Sequence, residues 1–117
     1  LYVTRPSRRA PRGHARLRDA YAAALFTAPS TDRLFNPYRD AADGLDGAEA
    51  PAWRRANLLG ALEATPERVD VLVVAEAPGP WGTRFSGVPL ASEAQLAEGA
   101  FGLAGTPSSA RFWREAV

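Results

Sequence analysis

One stretch constrains the fold more than any other: Val69-Asp70-Val71-Leu72-Val73-Val74, five of whose six residues are apolar. β-Branched residues without regular polar alternation read as a strand covered on both faces, the habit of a parallel strand in an α/β sheet. The run leads into Ala75-Glu76-Ala77-Pro78-Gly79-Pro80-Trp81-Gly82, a Gly/Pro-rich turn at the carboxyl end of the expected strand, where open α/β sheets place their ligands. Gly79 and Gly82 carry no side chain, so a ligand can approach the main chain closely and unpaired N–H groups can cradle an anion. No Gly-Lys-Ser/Thr follows and the spacing is not G-x-G-x-x-G, so neither nucleotide fingerprint applies. Glu76 directly follows apolar chain, where an ionised carboxylate is costly unless it is hydrogen-bonded or meets water in a cleft. Its alternative is a structural carboxylate that fixes the loop by accepting backbone N–H bonds.

At 117 residues the chain matches one small domain or a piece of a larger one. There is no Cys and a single His, His14, so thiolate metal sites, thiol catalysis and a His-based metal site or Ser-His-Asp triad cannot be assembled from these residues. Hydrophobic residues make up 46% with Ala prominent, net charge is +1 and mean hydropathy is −0.22, values of a soluble globular chain. No apolar run approaches the roughly 20 residues of a membrane span, and the expected location is the cytoplasm.

Residues 1–13 read as a flexible basic arm, with Arg5, Arg8, Arg9 and Arg12, no acid, and helix-breaking Pro6, Pro11 and Gly13. A solvated terminus is the simpler reading, and phosphate contact by the arginines is the functional alternative. Leu17, Tyr21 and Leu25 recur at four-residue spacing and predict a helix from about His14 to Phe26. Pro29, Asn36-Pro37, Asp43-Gly44 and Asp46-Gly47 mark a long connection, with Leu34, Phe35 and Tyr38 as its anchors. A second helix is expected from about Pro51 to Glu63, with Trp53, Asn57 or Leu58, Leu59 and Leu62 on its packed side. Phe85 to Leu90 read as irregular, Ser92 as the cap of a helix over about Glu93 to Glu98, and Ser108 onward as a last helix containing Phe112 and Trp113. Trp53 and Trp113 are expected in the core; for Trp81, core and base stacking stay equally open.

The run Val69–Val74, then Glu76-Ala77-Pro78-Gly79, then Arg84-Phe85-Ser86-Gly87-Val88-Pro89-Leu90-Ala91-Ser92-Glu93, resembles the first motif region of the uracil-DNA glycosylase superfamily. Asn36-Pro37-Tyr38 and the helix holding Asn57-Leu58 also resemble the amino-terminal part of some members, so the similarity covers about residues 33 to 98. The resemblance implies a three-layer α/β/α sandwich with a mainly parallel sheet, incomplete in this chain, with residues 14–117 as the amino-terminal part of the domain. It implies a DNA-repair hydrolase that rotates uracil out of the stack and cleaves its N-glycosidic bond, with no metal or cofactor. Glu76 would position water or the base, Ala77, Pro78, Gly79 and Leu90 would wall the base pocket, and Arg84 and Ser92 are candidate DNA contacts.

The chain departs from the family pattern in four places. Ala75 stands where Gly is usual, and Leu90 where relatives carry a Phe that stacks on the base. The Cys ligands of an iron–sulfur cluster and the second, His-containing motif have no counterpart here. Little or no turnover is therefore expected from this chain alone. The alternative is a non-catalytic or degenerate nucleic-acid-binding member, and a third reading is an unrelated α/β domain whose loop binds a small anion. The expected partner is uracil-containing DNA, with no membrane, and self-association through the incomplete sheet is anticipated because open strand edges must be paired.

Overall fold

The computed structural model describes residues 12–75 and 82–99. Helix α1 spans Arg12–Ala20 and widens into a π-helical turn over Tyr21–Leu25, where the Phe26 N–H donates to Tyr21 O at 2.9 Å. His14 lies in the helix as expected, Arg12 and Gly13, read as part of the arm, lie in it too, and residues 1–11 lie outside the described part. The expected face turns inward only in part, with Tyr21 and Leu25 half-buried. His14 is buried and Leu17 is 45% exposed, while Arg18 pairs with Glu63 of the next helix at 2.8 Å.

The connection from Phe26 to Glu49 is held by side chains rather than by ladders. Asn36 donates through Nδ2 to Leu25 O at 2.7 Å and Ala28 O at 2.8 Å, and its Oδ1 accepts the Tyr38 N–H at 3.0 Å. Ser30 accepts the Asn36 N–H and donates to Asp40. An Asn whose amide supplies donors and acceptor together replaces the backbone pairing that a loop lacks. Of the expected anchors, Tyr38 is half-buried against the Phe26 ring, whereas Leu34 and Phe35 are exposed.

Helix α2 spans Ala50–Ala64 with Pro51 in its first turn, where a missing N–H costs nothing. It stops at Thr65, whose hydroxyl donates to Ala61 O at 2.9 Å, just before Pro66, which disfavours helical backbone in the residue ahead of it. Its buried residues are Ala50, Pro51, Arg54, Asn57, Leu58 and Ala61; of the side that apolarity predicts, Asn57 and Leu58 are buried, whereas Trp53, Leu59 and Leu62 are half-buried. Two short helices follow, α3 over Thr83–Ser86 and α4 over Glu93–Ala97. Ala61, Val88, Ala91 and Leu96 form the buried apolar cluster where α2, α4 and the turn between α3 and α4 meet.

The α/β/α sandwich is overturned. No strand or sheet occurs among the described residues, and Val69, Val71, Leu72, Val73 and Val74 are 57–83% exposed with neither helical nor strand structure. β-Branched residues raise the propensity for extended chain but supply no partner, and an isolated strand without a ladder is not stable. No other described segment runs beside this one as a strand, so the faces expected to be covered are open. No helix among the described residues is long and apolar enough to cross a membrane.

Candidate functional site

The best-defined irregular structure lies between α3 and α4. Helix α3 ends at Gly87, whose φ of +76° lets its N–H turn back to Thr83 O at 2.9 Å, a left-handed cap that glycine adopts without penalty. Val88-Pro89-Leu90-Ala91 then forms a tight turn closed by the Ala91 N–H on Val88 O at 3.2 Å. Leu90 has φ +58° and is the one non-glycine with positive φ among the described residues. Pro at the second position with a positive φ at the third belongs to the type II family of turns, whose third position favours Gly or Asn. A leucine there is strained, and its side chain is 71% exposed, so burial does not offset the strain.

The turn is braced from within and below. The fully buried Ser86 accepts the Val88 N–H at 3.0 Å and donates to Ala91 O at 2.6 Å. The Leu90 N–H donates to Thr83 Oγ1 at 3.1 Å. From α2, Asn57 donates to Ser86 O at 2.8 Å and Arg54 to Phe85 O at 3.2 Å, and Tyr38 donates its hydroxyl to Gly87 O at 2.7 Å. Gly87 also lets the chain approach α2 closely, since a Cβ there would meet the Cα, Cβ and O of Arg54 at 2.7 Å.

Arg54 is 0% exposed, which for a guanidinium demands a full set of partners. It makes a two-pronged ion pair with Asp46 and also donates to Pro37 O at 3.1 Å. Asp46 further accepts the Ala42 N–H at 2.9 Å and Arg84 Nη2 at 3.1 Å. Burial pulls the Asp46 carboxyl upward, but the hydrogen bonds from Arg54, Ala42 and Arg84 with the Arg54 charge outweigh it and hold it below its ordinary value. Burial, reinforced by Tyr21 and opposed by Arg54, pushes the Tyr38 hydroxyl up to about 12. Below the other side of the turn, Tyr21, Leu58, Ala61, Leu62, Thr65 and Pro89 line an open, mainly apolar hollow of about 220 Å³.

Of the residues singled out in the sequence, Glu76, Ala77, Pro78 and Gly79 lie outside the described residues, as does Trp81. Leu90 stands at the exposed tip of the turn. Arg84 faces inward: its guanidinium sits over the rings of Phe35 and Phe85, 4.6 and 5.1 Å from their centroids, while it pairs with Asp46. Ser92 caps α4 reciprocally with Gln95, accepting its N–H while Gln95 Oε1 accepts the Ser92 N–H. Thr83 and Arg54 carry no signal in the sequence, and Ser86 and Asn57 fall in the resembling segments without a role of their own. The Pro89 turn signal was present, but Leu90 occupies the position where Gly or Asn would have announced the turn type. Compared with protein-family models, with curated proteins and with solved structures, the chain matches none.

Proposed function

We propose that this chain is part of a uracil-DNA glycosylase-like hydrolase, with Leu90 contacting an unstacked pyrimidine beside the Glu76-Ala77-Pro78-Gly79 segment. The observation that carries the reading is Leu90 itself. An apolar side chain exposed on a strained backbone position contributes little to the fold, and residues held in sparsely populated conformations cluster where ligands bind. The same residue is the one that the sequence resemblance assigns to the base. In the reaction, water attacks the sugar carbon while the bond to the base breaks and the base leaves with the electron pair. Glu76 positions the water or the base, and amides near Ala77 and Gly79 stabilise the departing negative charge.

Leucine lacks a π-face, so stacking of about 1–3 kcal/mol per base is replaced by apolar contact alone. That difference favours, as the second reading, a nucleic-acid-binding protein that does not cleave. One experiment separates the two. The chain is incubated with a uracil-containing single-stranded oligonucleotide and with its thymine counterpart, and both free base and affinity are measured. Release of uracil that is lost in Glu76→Gln supports the hydrolase. Binding without release that prefers uracil over thymine supports the base pocket in a chain of little turnover, salt-dependent binding indifferent to the base supports the binder, and absence of binding removes both.

A further inference from the structure

We propose that the Thr83 hydroxyl is a positioning group that locks Leu90 in its exposed left-handed conformation, an inference whose ligand-facing half rests on the reading of Leu90 as a base contact. The conformation of Leu90 is set by the two peptide planes that flank it. The plane before it is held by the Leu90 N–H on Thr83 Oγ1 at 3.1 Å, and the plane after it by the Ala91 N–H on Val88 O at 3.2 Å. With both planes held, the rotations at Leu90 follow, and a residue that would otherwise relax to negative φ stays at +58°.

Thr83 is suited to this by its own anchoring. As the first residue of α3 it accepts the Gly87 N–H through its carbonyl while its hydroxyl accepts the Leu90 N–H, so it ties both ends of the turn to one point. Ser86 also spans the turn, but it is fully buried and bonded to three main-chain atoms. Removing its hydroxyl strands buried polar groups and damages the fold at large. The Thr83 bond reaches an exposed residue, so its loss is felt at Leu90 before it is felt elsewhere.

The test uses the 117-residue protein with Thr83→Val, Thr83→Ser, Leu90→Gly and Thr83→Val/Leu90→Gly. Thr83→Val is expected to speed hydrogen exchange of the Leu90 amide roughly tenfold, and Thr83→Ser, which keeps the acceptor, is expected to leave it slow. Thr83→Val should lower the melting temperature less in the parent than beside Leu90→Gly, because glycine keeps the donated N–H but has no strain for the loss of that bond to release. Unchanged Leu90 exchange in Thr83→Val, or an equal fall in melting temperature in both backgrounds, overturns the lock. Affinity for the uracil-containing oligonucleotide should fall severalfold in Thr83→Val and return in Thr83→Ser. Faster exchange with unaltered affinity overturns the ligand-facing half. A parent protein that does not bind the oligonucleotide overturns the base-contact reading, while exchange and melting still decide the lock.

Discussion

Leu90 and Gly87 carry the same backbone sign for opposite reasons. At Gly87, φ +76° comes with backbone of α2 pressed against the missing side chain, so Gly87→Ala meets both conformational strain and a clash that no rotamer relieves. Its expected cost is about 1–3 kcal/mol, read as a lower urea midpoint at unchanged slope. At Leu90 the strain is local and the side chain faces solvent. A left-handed leucine costs about 1–2 kcal/mol, whereas glycine gives back about 0.4–1 kcal/mol through the freer unfolded chain. Leu90→Gly is therefore expected to stabilise the protein by about 0.5–1 kcal/mol while weakening binding of a uracil-containing oligonucleotide. A variant that is destabilised would show that the leucine side chain supports the fold.

Among the elements, α4 leans on the residue just before it. It has only five residues and a reciprocal Ser92–Gln95 cap, so end effects outweigh its internal hydrogen bonds. Ser92→Ala should cost about 1 kcal/mol, seen in thermal melts and as loss of amide protection confined to residues near 92–96. This role also explains why Ser92, a candidate DNA contact in the sequence, is engaged in structure. Helix α2 shows a different balance. Its packed side holds Arg54 and Asn57, whose side chains reach the carbonyls of the α3 segment, so a helix of modest amphipathicity is oriented by hydrogen bonds as much as by apolar contact. Apolar spacing marks the Asn57–Leu58 position but not Arg54, because it counts hydrophobic residues and does not see a partner 31 positions away in the chain.

For the molecule as a whole, the Asp46–Arg54–Arg84 network joins the long connection, α2 and α3. Leaving a buried charge without its partner is costly, so Arg54→Met should destabilise by about 3–5 kcal/mol. The acid limb has a defined sign. The Asp46 carboxyl sits below its ordinary value, so its stabilisation is complete above the unfolded carboxylate range and is lost as pH falls through the folded value. Urea midpoints measured from neutral to acidic pH should fall less steeply in Asp46→Asn than in the parent. Tyr38 works the other way: with its hydroxyl raised to about 12, its contribution is present below the unfolded value near pH 10 and fades as pH rises toward the folded one. Tyr38→Phe should remove that alkaline dependence. The exposed Val69–Val74 run, rich in β-branched residues and without Pro, is the segment expected to drive association. Val71→Lys with Val73→Lys should shift concentration-dependent sedimentation toward monomer.

Local rules read directly from the residues were not enough for α3, which forms where the residues read as irregular, but were enough for α2, α4 and their ends, with Pro51 opening α2, Pro66 closing it and Ser92 opening α4. These are short-range effects of φ restriction and capping, complete within a few positions of the chain. Tertiary structure alone decided that α2 buries Arg54, that Arg84 turns inward onto Asp46, and that Val69–Val74 has no ladder among the described residues. Each of those depends on whether a distant segment supplies a partner. Leu90 belongs to both levels: Val-Pro-Leu-Ala permits a turn, but only the Leu90 N–H bond to Thr83 and the bond across the turn force leucine into the conformation that glycine would take freely.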